Sequence, residues 1–162
     1  MPISQQEFIS FIKDRAEFNC VNKMRFQSRL ARYYFEKYIL EVAIATLEKG
    51  GTASKLDTYQ FLPPVDAWEF PKYPGKTAIL PPETDLVEEL RNFISVNETL
   101  LKESDCWLGT WINSQTKHFY FDITTSRNDL DEARKTALEI GEREGRKIVA
   151  LYNSKQDKTV YL

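Results

Sequence analysis

From Asn22 to Lys49 the apolar positions recur with the period of a helix, and no glycine or proline interrupts them before Gly50-Gly51. At 100° per residue, Met24, Ala31, Phe35, Tyr38, Ile39, Val42 and Ala45 fall on one broad arc, and Phe26, Tyr33 and Ile44 form a second strip. A helix apolar on two sides is expected to be touched by neighbours on both. The narrow remainder carries Arg25, Arg29, Arg32 and Glu36, spaced so that Arg32 and Glu36 can pair across one turn. That stripe is the expected solvent edge of a helix about 42 Å long.

A shorter helix is predicted before it. Ser4-Gln5-Gln6-Glu7 has the form of a capping box, and Phe8, Ile9, Phe11, Ile12 and Ala16 follow at helical spacing to about residue 17. Residues 17–21 are short enough for a turn. The two helices are therefore expected to form an antiparallel hairpin, with Phe8, Phe11 and Ile12 on the long helix.

Six of the seven prolines then fall between Pro63 and Pro82, so the stretch 55–82 should be mainly extended. Tyr59, Phe61, Leu62, Val65, Trp68, Phe70, Tyr73, Ile79 and Leu80 make it too apolar for a free linker. It reads as a strap packed over the helices. Helical spacing returns from about residue 83 to 103 through Leu86, Leu90, Phe93, Ile94, Leu100 and Leu101, with Thr84 and Asp85 at the start.

From Asp105 the pattern changes to that of strands. Residues 106–113 and 118–125 should form a hairpin about the turn 114–117, with Phe119, Phe121 and Ile123 alternating against His118, Tyr120 and Asp122. Asn128 or Asp129 caps a helix carrying Leu130, Ala133, Ala137 and Ile140, which ends at Gly145. Residues 148–152 and 159–162 give two more strands. The predicted class is α+β, with an N-terminal helical hairpin, a third helix and a C-terminal ββαββ antiparallel or mixed sheet. Residues 1–104 and 105–162 are the two expected parts of one cooperative unit.

Composition narrows the functions this architecture could serve. A chain of 162 residues with 42% hydrophobic and 13% aromatic content has ample material for a core. The two cysteines, Cys20 and Cys106, and the single histidine are too few for a disulfide framework or a zinc site, so buried reduced thiols are expected. No run of about 18 apolar residues or signal-peptide core is present, which makes cytoplasmic the default, with no membrane partner. The net charge of −2 gives no global attraction to nucleic acid. Its division into +2, −4 and 0 over residues 1–50, 51–104 and 105–162 favours internal pairing of the basic and acidic stretches.

The C-terminal third, with Trp107-Leu-Gly-Thr-Trp111, His118-Phe-Tyr-Phe-Asp122-Ile, Leu130-Asp-Glu-Ala133 and Ile148-Val-Ala-Leu-Tyr152, resembles a small strand-hairpin, helix, strand module of uncharacterised bacterial and phage-encoded proteins. The resemblance covers about residues 105–155 and implies a fold, not an activity.

Two surfaces are candidates for binding. Trp107 and Trp111 share a strand face, as do His118, Tyr120 and Asp122; together they would make an aromatic platform, unless the helical half covers it. Phe119, Phe121 and Ile123 are expected to take the C-terminal helix on the other face. The second candidate is the Arg25, Arg29, Arg32 stripe, which could follow a phosphate backbone. No nucleophile, metal-ligand spacing or phosphate loop is recognisable, so neither a catalytic residue, a metal nor a cofactor is expected. The expected function is that of a non-enzymatic interaction or accessory protein, of a kind that phages and mobile elements carry, binding another protein. The alternatives are nucleic-acid binding through the arginine stripe and an enzyme with its site between the two halves.

Overall fold

A computed structural model describes residues 4–162, without the side chains of Phe18 and Asn19. The chain is helical without a break from Gln5 to Lys49 (α1). The capping box forms: the Ser4 amide donates to Glu7 Oε2 at 2.8 Å, and the Glu7 amide donates to Ser4 Oγ at 3.3 Å. The expected hairpin does not form, because residues 17–21 carry on the helix. They hold neither glycine nor proline, and a lone asparagine costs a helix less than about 0.7 kcal/mol relative to alanine.

The chain divides into two compact units, at Tyr38 and Ile39 and not at residue 104. The first is helix alone from Gln5 onward, and most of its large apolar side chains are exposed, among them Phe8, Ile12, Met24, Phe26 and Tyr33. Arg25, Arg29 and Arg32 are exposed as expected, but so are the apolar residues beside them, Met24, Phe26, Ala31 and Tyr33; burial of the arc begins at Tyr38 and continues at Ile39 and Val42. Cys20 is also exposed, whereas Cys106 is buried as expected.

The second unit is built on one seven-stranded sheet in which every pairing is antiparallel. Its strands are β1 (Gly51–Ser54), β2 (Trp68–Pro71), β3 (Ala78–Leu80), β4 (Trp107–Ile112), β5 (Phe119–Arg127), β6 (Ala150–Asn153) and β7 (Lys158–Tyr161). Two further helices are α2 (Leu86–Leu101) and α3 (Leu130–Glu144). Asp85 caps α2 through the Glu88 amide, Asp129 caps α3 through the Glu132 amide, and Gly145 ends α3 at φ 67°, a left-handed conformation open to glycine. The chain is α+β, and ββαββ is the order of its C-terminal elements.

That order does not make a separate module. The strand order is β1-β4-β5-β2-β6-β7, with β3 on β5 as well, so β2 from the proline-rich stretch lies between β5 and β6. The proline-rich stretch thus supplies strands to the sheet where a strap over the helices was expected. The stretch is extended because its prolines leave it little else, and it is held because Trp68 and Phe70 need burial. Side chains fasten it further: Asp66 Oδ1 accepts from Asn153 Nδ2 at 2.8 Å and from Gln156 Nε2 at 2.7 Å.

Two cores follow from the register. Leu108 and Thr110 lie opposite Ile123 and Phe121, and on this face Phe93 of α2 meets Phe121 edge-on at 5.7 Å. Thr46 of α1 shares a hydrogen bond with Thr110 there, Oγ1 to Oγ1 at 2.6 Å. Ala133, Ala137 and Ile140 of α3 pack with Trp68, Phe70, Ile148 and Leu151. Phe70 and Trp68 lie opposite Thr125 and Arg127, which share a face of β5 with Phe121 and Ile123, so α3 takes the apolar face of β5 as expected, and α1 and α2 share that face with it. Sequence periodicity identifies the apolar face of β5 but not its sharing among three helices.

Because β2 is the strand that joins the β6–β7 hairpin to β5, a fragment of residues 105–162 is predicted not to fold. Its circular dichroism and urea titration should show no cooperative transition, and a fragment with a sigmoidal transition would contradict the topology.

Candidate functional site

On the face of β4 and β5 turned from Phe93, the register sets Trp107 opposite Thr124, Gly109 opposite Asp122 and Trp111 opposite Tyr120. The period of two therefore brings Trp107, Trp111, Tyr120 and Asp122 to one face, as expected. Trp111 is 37% exposed and stacks on Tyr120, with ring centroids 4.1 Å apart and planes 24° apart. Trp107, His118 and Tyr120 are partly buried. Gly109 keeps the middle of this face low: a Cβ there would collide with Thr124 Oγ1.

Asp122 lies beneath the aromatic groups, at 8% exposure. Burial pushes its carboxyl up to about 6, against the opposing pull of a hydrogen bond from Thr77 and the nearby charge of Arg146. Thr77 Oγ1 donates to Asp122 Oδ1 at 2.6 Å, and Arg146 Nη1 donates to the Thr77 carbonyl at 3.1 Å. This chain fastens the segment before β3, and the residue after Gly145, to the underside of the platform. Neither Thr77 nor Arg146 was a sequence candidate, because nothing local marks a threonine or an arginine as the partner of a carboxylate 45 or 24 residues away. His118 lies outside this hydrogen-bonded chain. It sits at the β4–β5 turn, its amide donating to Thr116 Oγ1 at 3.3 Å, and four residues of strand put it about 13 Å along from Asp122. The two therefore do not form an acid–base pair.

A second polar cluster lies where α2 ends and β4 begins. One donor atom each from Glu103, Asp105 and Cys106 lies within 4.8 Å of the others, a spacing that could suit a cation. The Lys72 ammonium already fills that role, 2.6 Å from Glu103 Oε2 and 2.9 Å from Asp105 Oδ1. Burial works against its charge, but those two hydrogen bonds outweigh it and hold Lys72 above its ordinary value. The same bonds hold Glu103 and Asp105 below theirs, while burial pushes the Cys106 thiol up to about 12. A thiol so protonated is a poor nucleophile and a poor metal ligand. Lys55 Nζ completes the junction by donating to the Cys106 carbonyl at 2.6 Å.

The arginine stripe is on α1, in the first unit, and is exposed at Arg25, Arg29 and Arg32. Of the two candidate surfaces, the platform alone combines aromatic groups with a fastened polar floor. Comparison with protein-family models, curated proteins and solved structures finds no significant match for this chain.

Glu69 is a further group that sequence reading passed over. It stands in β2 opposite Ser126 and Tyr152, and burial pushes its carboxyl up to about 7. A carboxyl raised by folding binds its proton more tightly in the native state, so the contribution of Glu69 to stability is fully present below about pH 4.5 and is lost as pH rises through about 7. Glu69→Gln is therefore predicted to stabilise the protein at pH 8 by about 1 to 2 kcal/mol, the partly exposed carboxylate keeping some hydration, and to change nothing at pH 4. Equal effects at both pH values in urea titrations would show that Glu69 is not protonated by burial.

Proposed function

We propose that this protein is a non-enzymatic interaction or accessory protein, and that it recognises another protein through the face bearing Trp111, Tyr120, Trp107 and His118. The observation that carries this reading is the open stack of Trp111 on Tyr120. A large aromatic side chain in an antiparallel sheet is normally either covered or used, because leaving it in water forgoes about 25 cal/mol for each Å² that burial would remove. Aromatic groups over a fixed polar floor are typical of the central residues of protein interfaces. Asp122 and Thr77 make that floor rigid, so a partner would meet a surface already in its bound form.

A second reading, nucleic-acid binding, is favoured by the exposure of Arg25, Arg29 and Arg32 along α1. It requires affinity for an oligonucleotide that falls steeply with salt, and loss of that affinity in the Arg25→Ala, Arg29→Ala double variant. A catalytic reading has less support, since strands from both sides of residue 104 join in one sheet and His118 and Asp122 form no acid–base pair.

The test is Trp111→Ala. Because Trp111 is partly exposed and stacks on the Tyr120 ring, the variant should lose about 1 kcal/mol of stability, well short of the roughly 3 to 5 kcal/mol of a buried aromatic truncation. It should also fail to retain the proteins that the parent holds from source-cell lysate. A variant that retains the same proteins as the parent would contradict the platform, and a salt-sensitive oligonucleotide complex in the parent would favour the arginine stripe.

A further inference from the structure

We infer that α1 pairs with the α1 of a second copy of this chain, antiparallel and centred near residue 21. Within the first unit, positions 9, 12, 16, 19, 23, 26, 30 and 33 alternate in spacing by three and four, the 3.5-residue period of a helix that packs along another helix. Six of the eight are apolar, and all six are exposed: Ile9, Ile12, Ala16, Phe26, Leu30 and Tyr33. An apolar line of that period has its natural partner in a second helix of the same period.

The order of residues along the line selects which helix. Read from either end it runs apolar three times, polar at 19 or 23, polar again, then apolar three times. A closed two-fold interface requires a surface that is complementary to itself, and a palindromic line is so about an axis at its middle. Antiparallel pairing sets Ile9 against Tyr33, Ile12 against Leu30, the small Ala16 against the large Phe26, and position 19 against Lys23. Gln5 then meets Lys37, another polar pair. The parallel arrangement would oppose Lys23 to Lys23 and Lys37 to Lys37 in the buried line, a like-charge cost the antiparallel one avoids. Arg15 does come alongside Arg29 of the second copy, but at the wet rim, where salt screens it.

The extent is sufficient. From Gln5 to Lys37 the paired stretch is about 48 Å long, and on a helix about 10 Å wide it covers roughly 500 Å² of each chain, about 1,000 Å² in all, the size at which specific interfaces begin. These are also the layers that a hairpin turning at residues 17–21 would make within one chain. With the helix unbroken there, a second copy supplies them in trans, as in a domain swap.

Cys20 reports the register. It is exposed and flanks the line, and the axis near residue 21 brings it beside Cys20 of the second copy, whereas parallel pairing sets it near Arg15. The full chain should sediment at twice its 18.9 kDa mass at micromolar concentration, and a short bismaleimide should link two chains through Cys20. Leu30→Glu, at a side chain 40% exposed, should leave the helical circular dichroism of a dilute sample unchanged and weaken association at least 100-fold. A parent that stays monomeric at hundreds of micromolar, including one that binds anionic vesicles instead, would overturn the inference. So would a dimer that Leu30→Glu leaves intact, or one whose Cys20 reacts with a monofunctional maleimide yet gives no linked pair.

Discussion

The architecture of the second unit depends on the hydrogen bonding of a single strand along both its edges. One edge of β5 pairs with β4; the other pairs with β3 over residues 119–121 and with β2 over residues 124–127. A central strand buried on its better face leaves no amide or carbonyl to water, and each group left unpaired would cost on the order of 1 to 3 kcal/mol. Both edges must therefore be filled. The chain fills the second with residues 68–80, whose prolines already bar them from continuous α-helix.

Several features follow from that requirement. The β6–β7 hairpin reaches the rest of the sheet through β2, so the C-terminus depends on a segment some 80 residues upstream. Pro74–Lys76 form a single turn of 3-10 helix between β2 and β3, so that Thr77 arrives opposite Asp122. That hydrogen bond compensates in part for burying a carboxylate under the Trp111–Tyr120 stack. The buried acid and the exposed aromatic groups are thus two sides of one arrangement, and the platform is rigid because the strand pairing beneath it is complete.

Much of this was legible in the sequence where local chemistry decides the outcome. The capping box at Ser4, the caps at Asp85 and Asp129, the stop at Gly145, and the alternation of Phe119, Phe121 and Ile123 are each written within a few residues. So is the sharing of one face by Trp107, Trp111, Tyr120 and Asp122. Pairings between distant segments were not legible: nothing around Trp68 says that it borders both β5 and β6, and nothing around Thr77 or Arg146 points to Asp122. The N-terminal hairpin failed for a different reason. Amphipathic spacing shows that a helix has a partner but not whether the partner is in the same chain, and with no breaker at residues 17–21 the helix ran on.

The central claim is that residues 68–71 are as integral to the sheet as the hairpin they complete. Native-state hydrogen exchange across a series of low denaturant concentrations measures this directly. The account predicts that the paired amides of β2 exchange with the same opening free energy and the same denaturant dependence as those of β4 and β5, merging with them in one global unfolding. Exchange of β2 through a separate opening several kcal/mol lower, while β4 and β5 stay protected, would contradict it.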